Sequence, residues 1–326
     1  MRKVLFLVFA PLLFLPSSVL GGVGRSAVQT LAQPVSARPA GLSEAYSAEA
    51  AGADSIGYNP AGLALGTSPE LLVQYHAGLM GDTFLNAGYA QQFGDFGFGV
   101  SVVSYNSGSV DLIDDNGVEV SAMGQRDIAG AVGGGLRLPW SGLTAGFAIK
   151  YVNTQMIEEI SGDAVAGDAG IRFDVPATGL SLAAAVQNIG NGIEIGDGKY
   201  GLPSLVRAGA AYRFDIEAEG SRMAGLEGLL EPAMKVEPVP HHFLALCDWI
   251  YRLEDRISSL ALGAEFSYHG KFSIRAGARV PMSGTGTRNT VGSLGIGAKI
   301  RRISVDYAVE MTSTAPLHRV SMGFVF

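Results

Sequence analysis

Between Leu260 and Val280 apolar residues recur at every second position, and every charge falls on the positions between them. Leu260, Leu262, Ala264, Phe266 and Tyr268 share one face, opposite Gly263, Glu265, Ser267 and His269. After a short turn, Phe272, Ile274, Ala276, Ala278 and Val280 oppose Ser273, Arg275, Gly277 and Arg279. Alternation with a period of two belongs to a β-strand whose two faces meet different surroundings, whereas an amphipathic helix would repeat every 3.6 residues. The pattern returns in Val206, Ala208, Ala210, Tyr212 and Phe214 against Arg207 and Arg213, and in Ile303, Val305, Tyr307 and Val309 against Asp306 and Glu310. It returns once more at the C-terminus, where Val320, Met322, Phe324 and Phe326 oppose Arg319, Ser321 and Gly323. A soluble β-sandwich would turn the charged faces outward and a membrane barrel would turn them inward. Alternation alone does not choose between the two.

Segment number and loop length do choose. Strands are expected near 70–77, 82–93, 96–107, 125–138, 142–155, 164–174, 179–188, 203–215, 241–251, 258–268, 271–280, 290–300, 302–310 and 317–326. That makes about fourteen, an even number as bacterial single-chain barrels require. Most even-numbered junctions are short, as at Gly94-Asp95, Pro139-Trp140-Ser141, His269-Gly270 and Ile300-Arg301, whereas Gly108–Gly124, Met156–Asp163 and Ile189–Leu202 are longer odd-numbered ones. Short turns at one end and long loops at the other are a barrel property. The 216–240 connection breaks the rule; Met223, Leu226, Leu229, Leu230 and Met234 have rough helical spacing there, which reads as a surface loop with a helical turn or as a docking element.

The first 21 residues read as a secretory signal peptide: Arg2 and Lys3 precede an apolar run from Val4 to Leu15, followed by the small-residue region Pro16–Gly21. The run falls short of the roughly 20 residues that a spanning helix needs. Cys247 is the only cysteine, so packing and backbone pairing must supply stability without an internal disulfide. A formal net charge of −7 and the lack of a basic cluster argue against a nucleic-acid partner.

No catalytic constellation stands out, and no enzyme activity, metal or cofactor is expected. His241 and His242 are adjacent on a strand and point to opposite faces. Gly133-Gly134-Gly135 lacks the Lys and Ser/Thr of a phosphate loop and reads as strand where another backbone approaches closely. Nothing marks a nucleophile elbow, and no nucleotide site is present to drive active transport. Charges facing lipid near the midplane cost a few kcal/mol each. Lys150, Arg207, Arg213, Arg275, Arg279 and Lys299 are therefore placed inward with Glu265, Asp306 and Glu310. They either pair with one another or with residues of a luminal segment, or leave an arginine free to receive a carboxylate.

The stretch Gly41–Leu65, GLSEAYSAEAAGADSIGYNPAGLAL, resembles the N-terminal region of FadL-like outer-membrane proteins, above all the branch containing the type IX secretion shuttle proteins PorV and PorQ. The pattern is a Gly- and Ala-rich run, an acidic residue, then Asn59, Pro60, Ala61 and Gly62. Gln187–Gly190, Leu202-Pro203, Arg207–Tyr212, Gly263–Phe266, Arg275–Arg279, Asp306-Tyr307 and His318–Phe326 match in order, so the resemblance covers nearly all of the chain after residue 21. It implies an all-β transmembrane antiparallel barrel of about fourteen strands over residues 69–326. Residues 22–68 would carry a segment folded into the lumen as a plug, containing the Asn59–Gly62 turn.

The resemblance further implies the outer membrane of a diderm bacterium, outer-membrane lipid as surroundings, and Phe326 as the signal read by the barrel-insertion machinery. The function expected is passive binding or transport of a small hydrophobic or amphipathic molecule, with Arg207, Arg213, Glu265, Arg275, Arg279 and Asp306 contacting ligand or plug. The alternative is a secretion shuttle or anchor that binds secreted protein cargo through its extracellular loops.

Overall fold

The computed structural model describes residues 26–78, 81–113, 119–157, 160–216, 241–283, 290–312 and 315–326. The expected signal peptide and the 217–240 segment with Met223 to Met234 lie outside these residues. The strands are β1 (Glu70–Ala77), β2 (Thr83–Phe93), β3 (Phe96–Asn106), β4 (Ser109–Ile113), β5 (Glu119–Met123), β6 (Gln125–Arg137), β7 (Leu143–Met156), β8 (Ile160–Asp174) and β9 (Leu180–Gly190). They continue with β10 (Ile193–Ile195), β11 (Gly198–Tyr200), β12 (Leu205–Ile216), β13 (His241–Arg252), β14 (Ile257–Tyr268), β15 (Phe272–Ser283), β16 (Val291–Ile300), β17 (Ile303–Met311) and β18 (Pro316–Val325). Fourteen of them form one closed antiparallel barrel, in which each strand pairs with its neighbours in chain order and β1 closes on β18. The seam places Leu71 opposite Phe324 and Tyr75 opposite Val320, so no edge strand is left unpaired.

Two stretches expected to be plain loops contain hairpins outside the barrel sheet, β4–β5 and β10–β11. The expected long loop Met156–Asp163 is a tight connection instead, because Met156 pairs with Ile160, Gln155 with Ser161 and Asn153 with Asp163. Polar residues extend this hairpin past the apolar belt, where an outward face no longer has to be apolar. Sequence polarity mistook strand for loop there.

The alternating faces sort as barrel physics requires. Leu262, Phe272, Ile274, Val280, Ile303, Val305, Tyr307, Val320 and Met322 are exposed on the outside, while Arg207, Glu265, Arg275, Glu310, Arg319 and Ser321 are buried inside. Exposed Phe93, Phe96, Trp140, Phe173, Phe214, Phe272 and Phe326 gather at the end carrying the short turns. Tyr75, Tyr151 and Trp249 stand nearer the other end. Such girdles mark the two membrane interfaces around an apolar band.

The interior holds residues 26–69. Four short helical pieces, Gln29–Ala32, Ala37–Gly41, Gly52–Gly57 and Pro60–Leu65, are joined by extended chain. Polar groups of this segment bond to walls all round the barrel. Ala37 N donates to Ser321 Oγ on β18 (3.1 Å), Ser47 N to Asp248 Oδ2 on β13 (3.0 Å), and Asn59 Nδ2 to the Ile171 carbonyl on β8 (3.1 Å). Gln74 on β1 and Asn86 on β2 donate to the carbonyls of Pro34 (2.8 Å) and Val35 (2.9 Å). A buried irregular chain can persist only when its polar groups are satisfied this way. The segment starts among the long loops, where Ala27 N reaches the Gly201 carbonyl (2.9 Å), and leaves at Glu70 beside the short turns.

Small residues make room for it. A Cβ on Gly97 would lie 1.9 Å from the Leu63 carbonyl oxygen, on Gly146 2.3 Å from the Pro60 carbonyl carbon, and on Gly277 2.4 Å from that of Leu42. These are backbone-to-backbone contacts, so no side chain can rotate aside. Ala37, Ala40, Ala45, Ala48, Ala50 and Ala61 present their methyl groups to the same walls with no exposure. The lumen is thereby packed as a protein core. One cluster joins Leu42, Tyr46 and Tyr58 of the segment to Leu244, Leu246 and Ile250 of β13.

Candidate functional site

The Asn-Pro-Ala-Gly turn is an anchor in which each residue has a task. Asn59 caps the turn that begins at Pro60, its Oδ1 accepting from Ala61 N (3.1 Å), while its Nδ2 ties the Ser47 carbonyl (3.2 Å) to the wall at Ile171. Pro60 at the first helical position lacks the N–H that would otherwise stay unpaired. Ala61 is fully buried, and a Cβ on Gly62 would lie 2.2 Å from the Ala50 carbonyl oxygen. Gly135, the last of the three consecutive glycines, lies against Ala64 N and the Pro60 carbonyl, which is the close backbone approach expected from the sequence.

Charges bind the segment to the wall at two levels. In the long-loop half, Glu44 receives Arg207 of β12 (2.8 Å) and Arg279 of β15. Burial alone would raise the Glu44 carboxyl, but Arg279 and Arg207 beside it hold it at about 2. Arg207 also lies over the Tyr58 ring and donates to Gln187 Oε1 (2.8 Å). Ser43 and Glu44 both adopt the left-handed backbone region, at φ of 51° and 68°, which costs conformational energy and aims the carboxylate at the arginines. Toward the short turns, Glu265 pairs with Arg275 and with Arg38 of the segment (3.0 Å), Arg275 reaches Asp306 (2.6 Å), and Arg213 meets Glu49 (2.8 Å).

The six charged residues singled out from the sequence thus form two groups rather than one site, and each of the four arginines has a carboxylate partner. Lys150 lies 2.7 Å from Asp168 Oδ2, and Glu310 accepts from Arg319 (2.6 Å). Lys299 is exposed at the short-turn rim. Phe326 is an exposed edge residue whose N–H donates to the Pro69 carbonyl (3.0 Å).

Nothing in the sequence pattern points to the apolar cluster under the long loops. Phe84, Val103, Ala129, Val152, Ala164 and Ala166 join it from β2, β3, β6, β7 and β8, with Ile193 and Leu202 closing it from the loops. Val28 belongs to it, and Leu31 packs against it. Val28 has φ 51°, an unfavourable conformation for a β-branched residue. The segment is held there by Ser26 Oγ on Asp255 Oδ2 (3.3 Å) and by Thr30 on Asp127. A polar cavity of about 280 Å³ lies at the opposite end, lined among others by Ser36, Asp54, Glu70, Lys299 and Ser304. Burial, with the Glu70 carboxylate nearby, pushes Asp54 up to about 7.

No family model and no curated protein matches the sequence. Solved structures do. The chain is similar to the Ralstonia pickettii toluene transporter TbuX, at 13% identity and a TM-score of 0.55, over 88% of this chain and 98% of that one. It is also similar to the P. putida toluene transporter TodX, at 12% identity and a TM-score of 0.54, over 90% and 99% of the two chains. A Pseudomonas aeruginosa FadL homologue matches at 11% identity and a TM-score of 0.53, over 90% and 98%. At these identities the likeness is one of fold, and the fold is that of the FadL-type outer-membrane barrels.

Proposed function

We propose that the chain is an outer-membrane barrel of a diderm bacterium that binds, and passively passes, a small hydrophobic or amphipathic molecule. Export by the signal peptide and recognition of Phe326 by the insertion machinery bring it to the membrane, with the short turns in the periplasm. Residues 22–68 are the N-terminal segment that carries the luminal plug, about 28–66, and residues 69–326 are the barrel. The observation that carries the reading is the apolar cluster in which the barrel wall packs around Val28, with Leu31 against it: displacing this strained residue would open an apolar-lined space to a guest. A hydrophobic molecule entering between the long loops would displace the stretch Ala27–Leu31. Arg207 and Arg279, which hold Glu44, would then be the cations able to accept the head of an amphipathic guest. The toluene transporters of the same fold support a guest of this class.

The test is retention of toluene or decanoate by the purified barrel, measured by mass spectrometry. Val152→Trp, which fills the apolar space, should abolish retention; retention unchanged by this variant would refute the site. A second reading, a shuttle that holds secreted cargo, is favoured by the β4–β5 hairpin, which pairs only with itself beyond the barrel sheet. Removing residues 109–123 would abolish cargo capture under that reading and leave toluene retention intact.

A further inference from the structure

The outer wall of the barrel is not uniform. Across β14–β17 the lipid-facing surface carries an apolar groove of about 470 Å³. Its floor is made by the small residues Ala264 and Ala276, which are cross-strand partners. Phe266, Ile274, Ile296 and Tyr307 form one continuous row across the four strands on the side facing the short turns.

The two short turns directly below this groove are basic. Exposed Arg301 and Arg302 form the β16–β17 turn, and exposed Lys271 and Lys299 are neighbours through a 2.6 Å bond from Lys299 N to the Lys271 carbonyl. Lys271 and Lys299 line the polar cavity of the lumen, on the inner side of the wall. The other described short turns, 94–95, 138–142 and 175–179, contain no cation and a single acidic residue, Asp95. In a chain with a net charge of −7, Arg301 and Arg302 beneath an apolar groove on the outer wall make a matched pair of features.

We propose that this face binds one anionic phospholipid from the leaflet on the short-turn side. The phosphate sits on Arg301 and Arg302, and an acyl chain rises into the groove. The dimensions agree. Six residues separate Ile300 at the rim from Leu294 in the groove, about 20 Å along the strand at roughly 3.3 Å per residue. With a strand tilt of about 45° that is about 14 Å of depth, close to half of a hydrocarbon core about 30 Å thick. Guanidinium groups suit the head because they contact phosphate oxygens in pairs and stay charged at any physiological pH.

The inference rests on the membrane placement proposed above but not on the lumen guest. Its test is native mass spectrometry of the full chain in detergent, titrated separately with dioleoyl phosphatidylglycerol and dioleoyl phosphatidylcholine. One phosphatidylglycerol should be retained at concentrations where phosphatidylcholine is not. The double variant Arg301→Glu/Arg302→Glu should weaken phosphatidylglycerol at least about 25-fold, taking about fivefold for each cation lost near an anionic surface. Ala276→Trp, which fills the groove and leaves the charges in place, should lose the phosphatidylglycerol, while Ala208→Trp on the outer face of β12 should retain it. Folding of each variant is verified by heat-modifiable migration, and the charge and groove variants test the site separately. Equal retention of the two lipids, wild-type retention by both site variants, or a dimer that covers the groove would overturn the proposal. Because the lipid is scored on an already folded barrel, a negative result leaves the membrane placement and the lumen-guest reading standing.

Discussion

Replacing Gly146 by alanine should loosen the internal segment without harming the barrel. In a strand an alanine normally gains about 0.5–1 kcal/mol over glycine, because it has less backbone entropy to lose. At this position the new methyl group meets the Pro60 carbonyl carbon at 2.3 Å and Ala61 N at 2.4 Å, and both sides of the contact are backbone. The entropic gain is present whether the segment is docked or released and cancels, so overpacking of a tight core sets the loss in docking at about 1–3 kcal/mol. The cost falls on the docked state alone, since β7 keeps its ladder to β6 and β8. At about 1.4 kcal/mol per factor of ten, the released fraction should rise by about 5-fold to about 140-fold. The assay uses Ser55→Cys, a near-isosteric reporter at a fully buried segment position, in a Cys247→Ser background with an impermeant maleimide. Labelling proceeds through the released state, so its rate follows the released fraction. Gly130→Ala is the control, since a Cβ there meets nothing within 4 Å. Equal labelling rates in the Gly146→Ala and Gly130→Ala proteins would refute the reasoning.

Glu44→Gln leaves Arg207 and Arg279 buried without their shared counter-charge, an arrangement that costs about 3–5 kcal/mol; heat-modifiable migration should shift to lower temperature, and adding Arg207→Gln should restore part of the loss. Asp54 binds its proton more tightly when docked, at about 7, than at its ordinary value near 3.8. Its contribution to docking is therefore full below pH 4 and is lost as pH rises to about 7. Labelling of the Ser55→Cys reporter, corrected for maleimide reactivity, should quicken across that window, and Asp54→Asn should remove the dependence. Deleting Phe326 should cut the yield of heat-modifiable barrel in the outer membrane while leaving detergent refolding of purified chain intact.

The wall was legible because a strand between lipid and lumen must alternate, and all fourteen barrel strands fall close to their expected places. The charges Arg207, Arg275 and Arg279 betrayed the inward face for the same reason. Their partners were harder to read: Glu44 and Glu49 lie in an Ala-rich stretch with no period, where only the need of buried charges for counter-charges points inward. Asp168 and Asp248 each stand among apolar or small neighbours and escaped notice, although Asp248 shares the inward parity of Leu244, Leu246 and Ile250. The apolar cluster around Val28 was not legible at all. It is assembled from one or two residues on each of five barrel strands together with Ile193 and Leu202, far apart in the chain, and a cluster of that kind leaves no local pattern.

The most direct measurement of the central claim is single-channel conductance in planar bilayers, comparing the full chain with a chain lacking residues 27–66, both verified as folded barrels. A barrel sealed by its own N-terminal segment predicts near-zero conductance for the full chain and a steady open pore for the shortened one. Equal conductance in the two would contradict it.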